Sequence, residues 1–379
     1  MSENQFNALT WDVMLGMHSS VTVPSIEAYH AVLSPDFPPF MTPYLQLPML
    51  RRLAGIGLLC GTDWTPLYRN RFYYSRLDHS IGVALIIWHF THSREQTLAG
   101  LLHDVSTPLF SHAADFRHGD ALTQESTEDE NALMVKNDRD LAALLAADGI
   151  SPDDVCDYHR YPVADNEVPQ LSADRLEYMF PSGIALEGSW TLNDIAETYG
   201  DIVICRNESG EEELSFKTLC TAEDYCRRFC STGHVLQLNE NKLTLQLLAE
   251  IVNRAVSLGI MDEHDCYSLS EEEAMKKFDR ASSRASSDAE RCFARYYRTF
   301  RTMTHIEHTD HPVNDCFCIS LKVKQRYINP LVVQDNKKDG GLCKARRLSC
   351  ISPYAAKMIS DFLAYSDTPY GCVKLVQSE

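Results

Sequence analysis

The chain has 379 residues, of which 44% are hydrophobic and 23% are charged, and its formal net charge is −18. This composition is typical of a globular protein, and no apolar run is long enough to cross a bilayer. The acidic excess argues against a protein that coats nucleic acid, whereas a small anionic substrate needs only a few cations in one pocket. Because the N-terminal residues do not resemble a secretory signal, we expect a cytoplasmic protein with no membrane partner.

The first predicted elements are helices in the first half of the chain. Residues 80–92, SIGVALIIWHFTH, form an apolar run whose length favours a buried helix, and residues 96–103 predict a second helix packed against it. Pro108 follows soon afterwards, which places His103 and Asp104 near a helix end. Further along, we expect a polar loop over 118–140 and a helix within 133–149 that Gly149 closes. A later helix is expected over 172–180, with Ser172 as its N-cap and with its end at 181–183.

The second half of the chain adds short strands to the helices. Residues 201–216 have the pattern of a β-hairpin, and residues 242–260 have the spacing of a core helix. Strands are expected within 319–333 and a last helix within 351–366. The serine-rich residues 281–288 are the best linker candidate. We therefore predict a mainly α fold with small β-hairpin elements, divided into a helical core over residues 1–280 and an α+β C-terminal subdomain over residues 281–379.

The cysteines and the basic residues have no unambiguous function in the sequence. The 13 Cys are scattered without the dense spacing of a disulfide-stapled domain, and none forms a CxxC pair, so we expect reduced thiols and no zinc ribbon. A late basic stretch is either a solvated face near a loop or a site for a polyphosphate or a partner. Its residues are Lys322, Lys324, Arg326, Lys337, Lys338, Lys344, Arg346 and Arg347.

Four residues on the predicted helices form a candidate metal site. His103 and Asp104 are adjacent in an apolar setting, where a buried carboxylate requires a partner. His79 and Asp174 lie on two further predicted helices. Singly, each is more typical of an ordinary helix residue, but two imidazoles with two carboxylates suit one divalent ion such as Mn, Fe, Mg, Ni or Zn. A six-coordinate ion would keep two positions free, for a water whose pKa it lowers and for a phosphoryl oxygen that it polarises.

The segments RLDHSIGV, GLLHDVSTPLFSH and ADRLEY resemble the HD-domain metal-dependent phosphohydrolases, and among them the branch of deoxynucleoside triphosphate triphosphohydrolases that includes the SAM-and-HD-domain protein. The likeness covers about three-quarters of the chain, although it is weak outside the motifs. It implies an HD-domain helical core in which His79, His103, Asp104 and Asp174 bind the metal. It also implies a small phosphorylated substrate, with nucleotides as the leading class, and assembly into a homo-oligomer.

The same resemblance implies functions for five further residues. Arg76 would lie close to the metal-bound phosphate, and His112 and Asp115 would line the catalytic pocket. Arg175 stands where the family has a phosphate-binding lysine, and Tyr178 stands where it has a tyrosine packed against the sugar. Two arginines are well suited to bidentate contacts with a polyanion.

Three departures from the family pattern bear on the substrate. Thr107 stands where relatives have a second histidine, Gln124 and Glu125 stand where they have a His-Glu pair, and Ser182 lies near the position of a sugar-reading aspartate. Since glutamine cannot exchange a proton at neutral pH, His112 or Glu125 would supply the acid, the leaving group would need little protonation, or the substrate would differ.

Two hypotheses follow from these residues. The first is a metal-dependent phosphohydrolase in which a metal-activated water attacks a phosphoryl group of a nucleotide or related phosphate ester. The spacing does not supply the additional histidines of a two-metal site, so we expect one ion. The alternative is a catalytically weakened HD-domain protein that binds or senses nucleotides, for which Gln124 is the main argument.

Overall fold

The computed structural model describes residues 23–122, 128–339 and 342–377. Helices form most of this part of the chain, and the strands are short, which confirms the mainly α prediction. The helices are α1 (Ile26–Leu33), α2 (Pro48–Leu53), α3 (Arg76–Thr91), α4 (Arg94–Leu102), α5 (Ala113–Arg117), α6 (Glu128–Asn137), α7 (Arg139–Asp148), α8 (Pro152–Val155), α9 (Ala173–Leu186), α10 (Leu192–Gly200), α11 (Leu219–Gln237), α12 (Asn239–Ser257), α13 (Asp265–Ser268), α14 (Glu271–Ser283), α15 (Asp288–Thr302), α16 (Leu348–Ile351) and α17 (Pro353–Ala364). The strands are β1 (Ile202–Arg206), β2 (Glu212–Phe216), β3 (Glu307–Thr309), β4 (Cys316–Ile319), β5 (Leu331–Asp339), β6 (Leu342–Arg347) and β7 (Tyr370–Lys374).

The two helices predicted around residues 80–103 are present and pack against each other as α3 and α4. Helix α3 begins earlier than predicted because Ser75 and Asp78 form a capping box at its N-terminus. Ser93 caps α4, which ends with His103 at its C-cap. The HD pair is therefore presented at a helix end, as the sequence predicts.

The predicted end of α9 at Pro181 is wrong, since the helix continues to Leu186 with the proline inside it. Proline has no N–H to donate, and its ring would crowd the carbonyl of Glu177 one turn earlier. That carbonyl lies 3.3 Å from the hydroxyl of Tyr29, whose single proton is shared between it and the Glu177 carboxylate, and this contact partly replaces the lost helical bond. A contact from a distant helix thus stabilises a helix that local rules would end.

Two helices lie before α8, where the sequence predicts one. The helix within 133–149 is divided into α6 and α7, because Asp138 caps α7 by accepting a 2.7 Å hydrogen bond from the N–H of Leu141. Gly149 closes α7 in the left-handed conformation, with φ of 72°, as predicted. The polar loop expected over 118–140 is shorter than predicted, since α6 begins at residue 128.

The strands form two small sheets. Strands β1 and β2 are the predicted hairpin, with Ile204 opposite Leu214, and β5 and β6 complete a closed four-stranded barrel. The other sheet has the strand order β3-β7-β4. Only the two ends of the predicted strand region 319–333 belong to strands, namely the last residue of β4 and the first residues of β5. Residues 320–330 between them form no regular strand.

The three-stranded sheet contains a disulfide bond between Cys318 and Cys372. These residues lie directly opposite each other on β4 and β7, with their Cα atoms 4.1 Å apart. Antiparallel neighbours at this separation bring two Sγ atoms within bonding reach. The expectation of reduced thiols is therefore wrong for this pair, while ten further cysteines whose side chains the structure describes are free.

Apolar side chains bury the faces of the helices in three clusters. One lies around α3, α9 and α11, the next around α12, α14 and α15, and the last around α4 and α7. Residues 281–288 form the end of α14, a short turn and the start of α15, and these two helices pack together. The division of the chain at residue 281 stays a prediction. No helix among the described residues is long and apolar enough to cross a membrane.

Candidate metal centre

Three helices bring the four predicted metal ligands to one place. His79 lies on the first turn of α3, His103 and Asp104 at the end of α4, and Asp174 on the first turn of α9. The Nε2 atom of His79 lies 3.1 Å from Asp174 and 3.9 Å from Asp104, and the Nε2 atom of His103 lies 3.8 Å and 3.7 Å from the same carboxylates.

These separations and ring orientations fit a divalent ion. An ion about 2.1 Å from each donor holds neighbouring ligand atoms about 3.0–3.4 Å apart. The 3.1 Å distance lies in this range, whereas the distances of 3.7–3.9 Å exceed it and would shorten when an ion binds. Ligand atoms of His79, His103 and Asp104 all lie within 4.8 Å of one another. The Nδ1 atom of His79 pairs with Glu177 at 2.5 Å, and that of His103 pairs with the carbonyl of Gly100 at 2.7 Å. With Nδ1 as the donor, each neutral ring presents its Nε2 lone pair to the ion, and the raised pKa of His79 means that a bound ion would displace a proton from its Nε2. The donor set therefore suits a mononuclear site.

The electrostatics of the centre favour a bound cation. Burial opposes ionisation of Asp104, but Arg76 and the two histidines beside it hold the pKa of this carboxyl well below its usual range. Asp174 is also buried, yet its hydrogen bond with His79 lowers its pKa to about 2. Burial would lower the pKa of His79, but Glu177 and Asp174 raise it to about 10. Both carboxylates are thus ionised at neutral pH and attract a positive charge between them.

Glu177 is a functional candidate that the sequence analysis missed. Its side chain is fully buried behind His79 and also accepts hydrogen bonds from the hydroxyls of Tyr74 at 2.7 Å and Tyr29 at 3.1 Å. Gly82 makes room for it, because a Cβ there would lie 2.3 Å from the Glu177 carboxylate. Such a carboxylate fixes the tautomer of a ligating histidine and increases its basicity. The available signal was a glutamate one turn after Asp174 on an otherwise apolar helix face.

Thr107 and Arg52 support the HD pair from the other side. The hydroxyl of Thr107 donates to Asp104 Oδ1 at 3.0 Å. Arg52 donates to the carbonyls of Val105 at 3.2 Å and Thr107 at 2.5 Å, and so fixes the turn that follows Asp104. Thr107 therefore orients the carboxylate of Asp104.

His112 and Asp115 form a pair beside the metal centre. The Nδ1 atom of His112 lies 2.9 Å from Asp115, which is buried, while the His112 side chain is 33% exposed. The two preceding residues, Phe110 and Ser111, have φ of 61° and 50° and turn the chain sharply towards this position. Strained backbone of this kind is concentrated at functional sites.

Arg326, from the late basic stretch, contacts His112. Its Nη2 atom lies 3.4 Å from Nε2 of His112, and no carboxylate of the described chain forms an ion pair with it. Burial, and then the positive charges of Arg326 and Arg76, lower the pKa of His112 from its ordinary value. Burial raises the pKa of Tyr178 to about 12, although the charge of Arg326 opposes this rise. Arg326 thus lies among the predicted catalytic and substrate-binding residues.

The two arginines predicted to bind substrate differ in their surroundings. Arg76 is buried beside the centre, where it donates to Asp104 at 2.9 Å and to the hydroxyl of Ser111 at 3.1 Å. Arg175 is turned towards a loop, and it donates to the Asn166 side chain and backbone and lies 3.2 Å from Asp165. The substrate contact of Arg175 stays a prediction, and it would require these bonds to be exchanged. Gln124 and Glu125 lie outside the described residues.

Two known proteins are similar to this chain in part of their sequence, and two solved structures are similar to it in fold. The chain is 31% identical over 145 residues to the uncharacterized protein YdhJ of Bacillus subtilis, an alignment that covers 37% of this chain and 42% of that protein. It is 29% identical over 147 residues to the metal-dependent phosphohydrolase cns2 of Cordyceps militaris, covering 39% of this chain and 41% of the relative. The chain thus spans about two-fifths of the length of the curated relatives it matches. No protein-family model matches it.

Two solved structures have a similar fold. A hypothetical protein from Aquifex aeolicus aligns with a TM-score of 0.58 at 14% identity, over 89% of this chain and 92% of the other. A phosphohydrolase from Bacteroides thetaiotaomicron aligns with a TM-score of 0.54 at 12% identity, over 88% and 94% of the two chains. The described fold is therefore shared along nearly its whole length.

Proposed function

We propose that this protein is a metal-dependent phosphohydrolase that acts on a small phosphate ester or anhydride, with nucleotides as the leading substrate class. One observation carries the proposal. The Nε2 atoms of His79 and His103 converge with oxygens of Asp104 and Asp174, next to the His112–Asp115 pair. The relative from Cordyceps militaris, whose name describes a metal-dependent phosphohydrolase, supports the proposal over the aligned part of the chain.

These four residues would hold one divalent ion, whose identity among Mn, Fe, Mg, Ni and Zn is open. Such an ion supplies Lewis acidity, which polarises a phosphoryl oxygen and lowers the pKa of a coordinated water. Glu177 and the Gly100 carbonyl orient the two imidazoles, and Arg76 and Thr107 orient Asp104. The ligands are therefore arranged before the ion binds, which reduces the cost of ordering them.

We assign phosphate binding chiefly to Arg326, with Arg76 in support. Arg326 has no carboxylate partner in the described chain, so its guanidinium is available for a bidentate contact with an anion. Arg76 brings a second positive charge, although Asp104 and Ser111 occupy two of its N–H groups. The hydrogen bonds of Arg175 make it the weaker candidate. This assignment gives part of the late basic stretch a function in polyphosphate recognition.

His112 is proposed to transfer protons. Asp115 orients the imidazole through Nδ1, which directs Nε2 into the pocket. Because its pKa is lowered, His112 is neutral at pH 7 and can accept a proton from the attacking water at Nε2. Arg326 beside the same nitrogen would stabilise the negative charge that develops on the phosphoryl group. Tyr178 is proposed to pack against the substrate, and Glu125 stays a candidate for the acid.

A hydrolysis screen tests the proposal. Chelator-treated protein is supplied with each of the five ions and incubated with nucleotides and simple phosphate esters, beside His103→Ala and Asp104→Asn. We expect metal-dependent release of a phosphate product by the wild-type chain and its loss in both variants. Failure of the wild type to bind metal or hydrolyse any substrate would contradict the proposal. Thermal stabilisation by nucleotides without turnover would favour the sensor alternative. Homo-oligomer formation is proposed separately and is measured by light scattering.

A further inference from the structure

A second group of possible metal ligands lies in the second half of the chain, on elements that carry none of the four proposed ligands of the metal centre. Glu240 lies on the first turn of α12, His308 on β3, and Asp367 in the turn before β7. Nε2 of His308 lies 2.9 Å from Glu240, and its Nδ1 lies 3.2 Å from Asp367. One ligand atom from each residue lies within 4.8 Å of the others, a spacing that a single ion can span.

The backbone holds Asp367 in a defined position. One of its carboxylate oxygens accepts from the N–H of Asn239 at 2.6 Å, and the other accepts from the N–H of Thr368 at 2.6 Å. The Asn239 side chain then donates to the Thr368 carbonyl at 2.9 Å. At Gly371, which pairs with His308 across the sheet, a Cβ would lie 2.7 Å from that of Asn239. Sheet and helix approach so closely here that the cluster is built before any ligand binds.

The cluster has acceptor capacity that no described residue satisfies. The side chains of Glu240 and Asp367 are only 9% and 8% exposed, so two carboxylates share a nearly buried site. One oxygen of Glu240 faces His308, whereas its Oε2 is buried and has no hydrogen-bond partner among the described residues. A buried carboxylate oxygen without a partner is costly and indicates a missing water or ion. Hydrogen bonds with Asp367 and Glu240 raise the pKa of His308 to about 10, so a protonated imidazole lies between the two carboxylates until an ion displaces its proton. Burial lowers the pKa of Lys242 nearby.

We propose that Glu240, His308 and Asp367 bind a second divalent cation, with Zn²⁺ as the best-matched ion, and that this ion fastens the three-stranded sheet to the helical core. One imidazole with two carboxylates is a donor set typical of zinc and similar borderline ions. His308 is 34% exposed, which gives the ion a route to the site from solvent. The ion would displace the proton from one ring nitrogen of His308, whose Nε2 and Nδ1 now pair with Glu240 and Asp367 respectively, and would satisfy Glu240 Oε2. The site is independent of the proposed hydrolase centre.

Zinc counting on the full-length chain tests this site separately from the HD centre. Wild type, His308→Ala and His103→Ala are stripped with chelator, saturated with Zn²⁺, passed through a desalting column and analysed for zinc per chain. We expect two ions in the wild type, one in each variant, and none in the double variant. Zinc should also raise the Tm of His103→Ala but not that of the double variant.

The outcomes separate the two centres. If His308→Ala retains the wild-type zinc count, the second site does not exist, whatever His103→Ala does. If only His103→Ala retains the wild-type count, the proposed HD ligands are wrong and the second site stands. Glu240→Gln keeps the size of the side chain and removes its charge, so it decides the question if His308→Ala fails to fold. One ion in Glu240→Gln supports the site, and two ions overturn it.

Discussion

The Glu177→Gln variant should bind its divalent ion about 10- to 100-fold more weakly than the wild-type chain, the usual effect of removing a group that orients a metal-ligating histidine. Glu177 lies 2.5 Å from Nδ1 of His79 and has no exposed surface, so nothing else replaces its charge behind the ring. The corresponding loss of binding free energy is about 1.4 to 2.7 kcal/mol. This matches the value of a charge-assisted hydrogen bond, about 1.5 to 3 kcal/mol.

Competition with a chromogenic chelator measures this affinity directly. Glu271→Gln is the matched control, because Glu271 is also fully buried but accepts from Trp64 and Gly57 and does not contact a proposed ligand. We expect Glu271→Gln to bind metal as the wild type does. If Glu177→Gln folds, as judged by circular dichroism, and retains wild-type affinity, the reasoning that Glu177 holds His79 for the metal is refuted.

Three further predictions concern substrate, pH and stability. Arg326→Ala should raise KM about 10- to 100-fold in steady-state assays, because charge-assisted contacts with the phosphate are lost. Arg175→Ala should change KM less than about 3-fold and should lower Tm instead. A larger rise in KM for Arg175→Ala than for Arg326→Ala would restore Arg175 as the phosphate ligand. In pH profiles of kcat/KM, the acidic limb assigned to His112 should lie below pH 6.5. The limb should move to higher pH in Arg326→Ala, because the positive charge of Arg326 lowers the pKa of His112 in the wild type. A limb that does not move argues against His112 as the base. Burial raises the pKa of Glu271 to about 8 in the folded protein, so its ionisation destabilises the fold progressively as pH rises from 4.5 towards 8. Glu271→Gln removes this titration and should flatten the pH dependence of unfolding by denaturant between pH 4.5 and 8, and parallel curves for the two proteins would contradict this.

Local signals were sufficient for the helices that carry the metal centre. Apolar runs predict α3 and α4, and the small polar caps Ser75, Ser93 and Ser172 fit the starts of α3, α4 and α9. Because the four proposed ligands lie at helix ends, predicting these helices and their order nearly suffices to bring the ligands together. The resemblance to HD-domain proteins implied the same four ligands.

Long-range contacts account for what the sequence did not predict. Pro181 remains inside α9 because Tyr29, far away in the chain, takes the free carbonyl of Glu177. Arg326 reaches His112 from residues that form no regular strand, so no periodicity indicates its position. The pairing of Cys318 with Cys372 depends on the alignment of β4 with β7. In each case the partner is set by the fold and not by neighbouring residues.

Anomalous diffraction from crystals grown with Mn²⁺ tests the central claim most directly. We expect one strong peak about 2 Å from Nε2 of His79, Nε2 of His103 and the carboxylates of Asp104 and Asp174, and no such peak in crystals of Asp104→Asn. A wild-type crystal with ordered ligands and no anomalous density between these four residues would contradict the account.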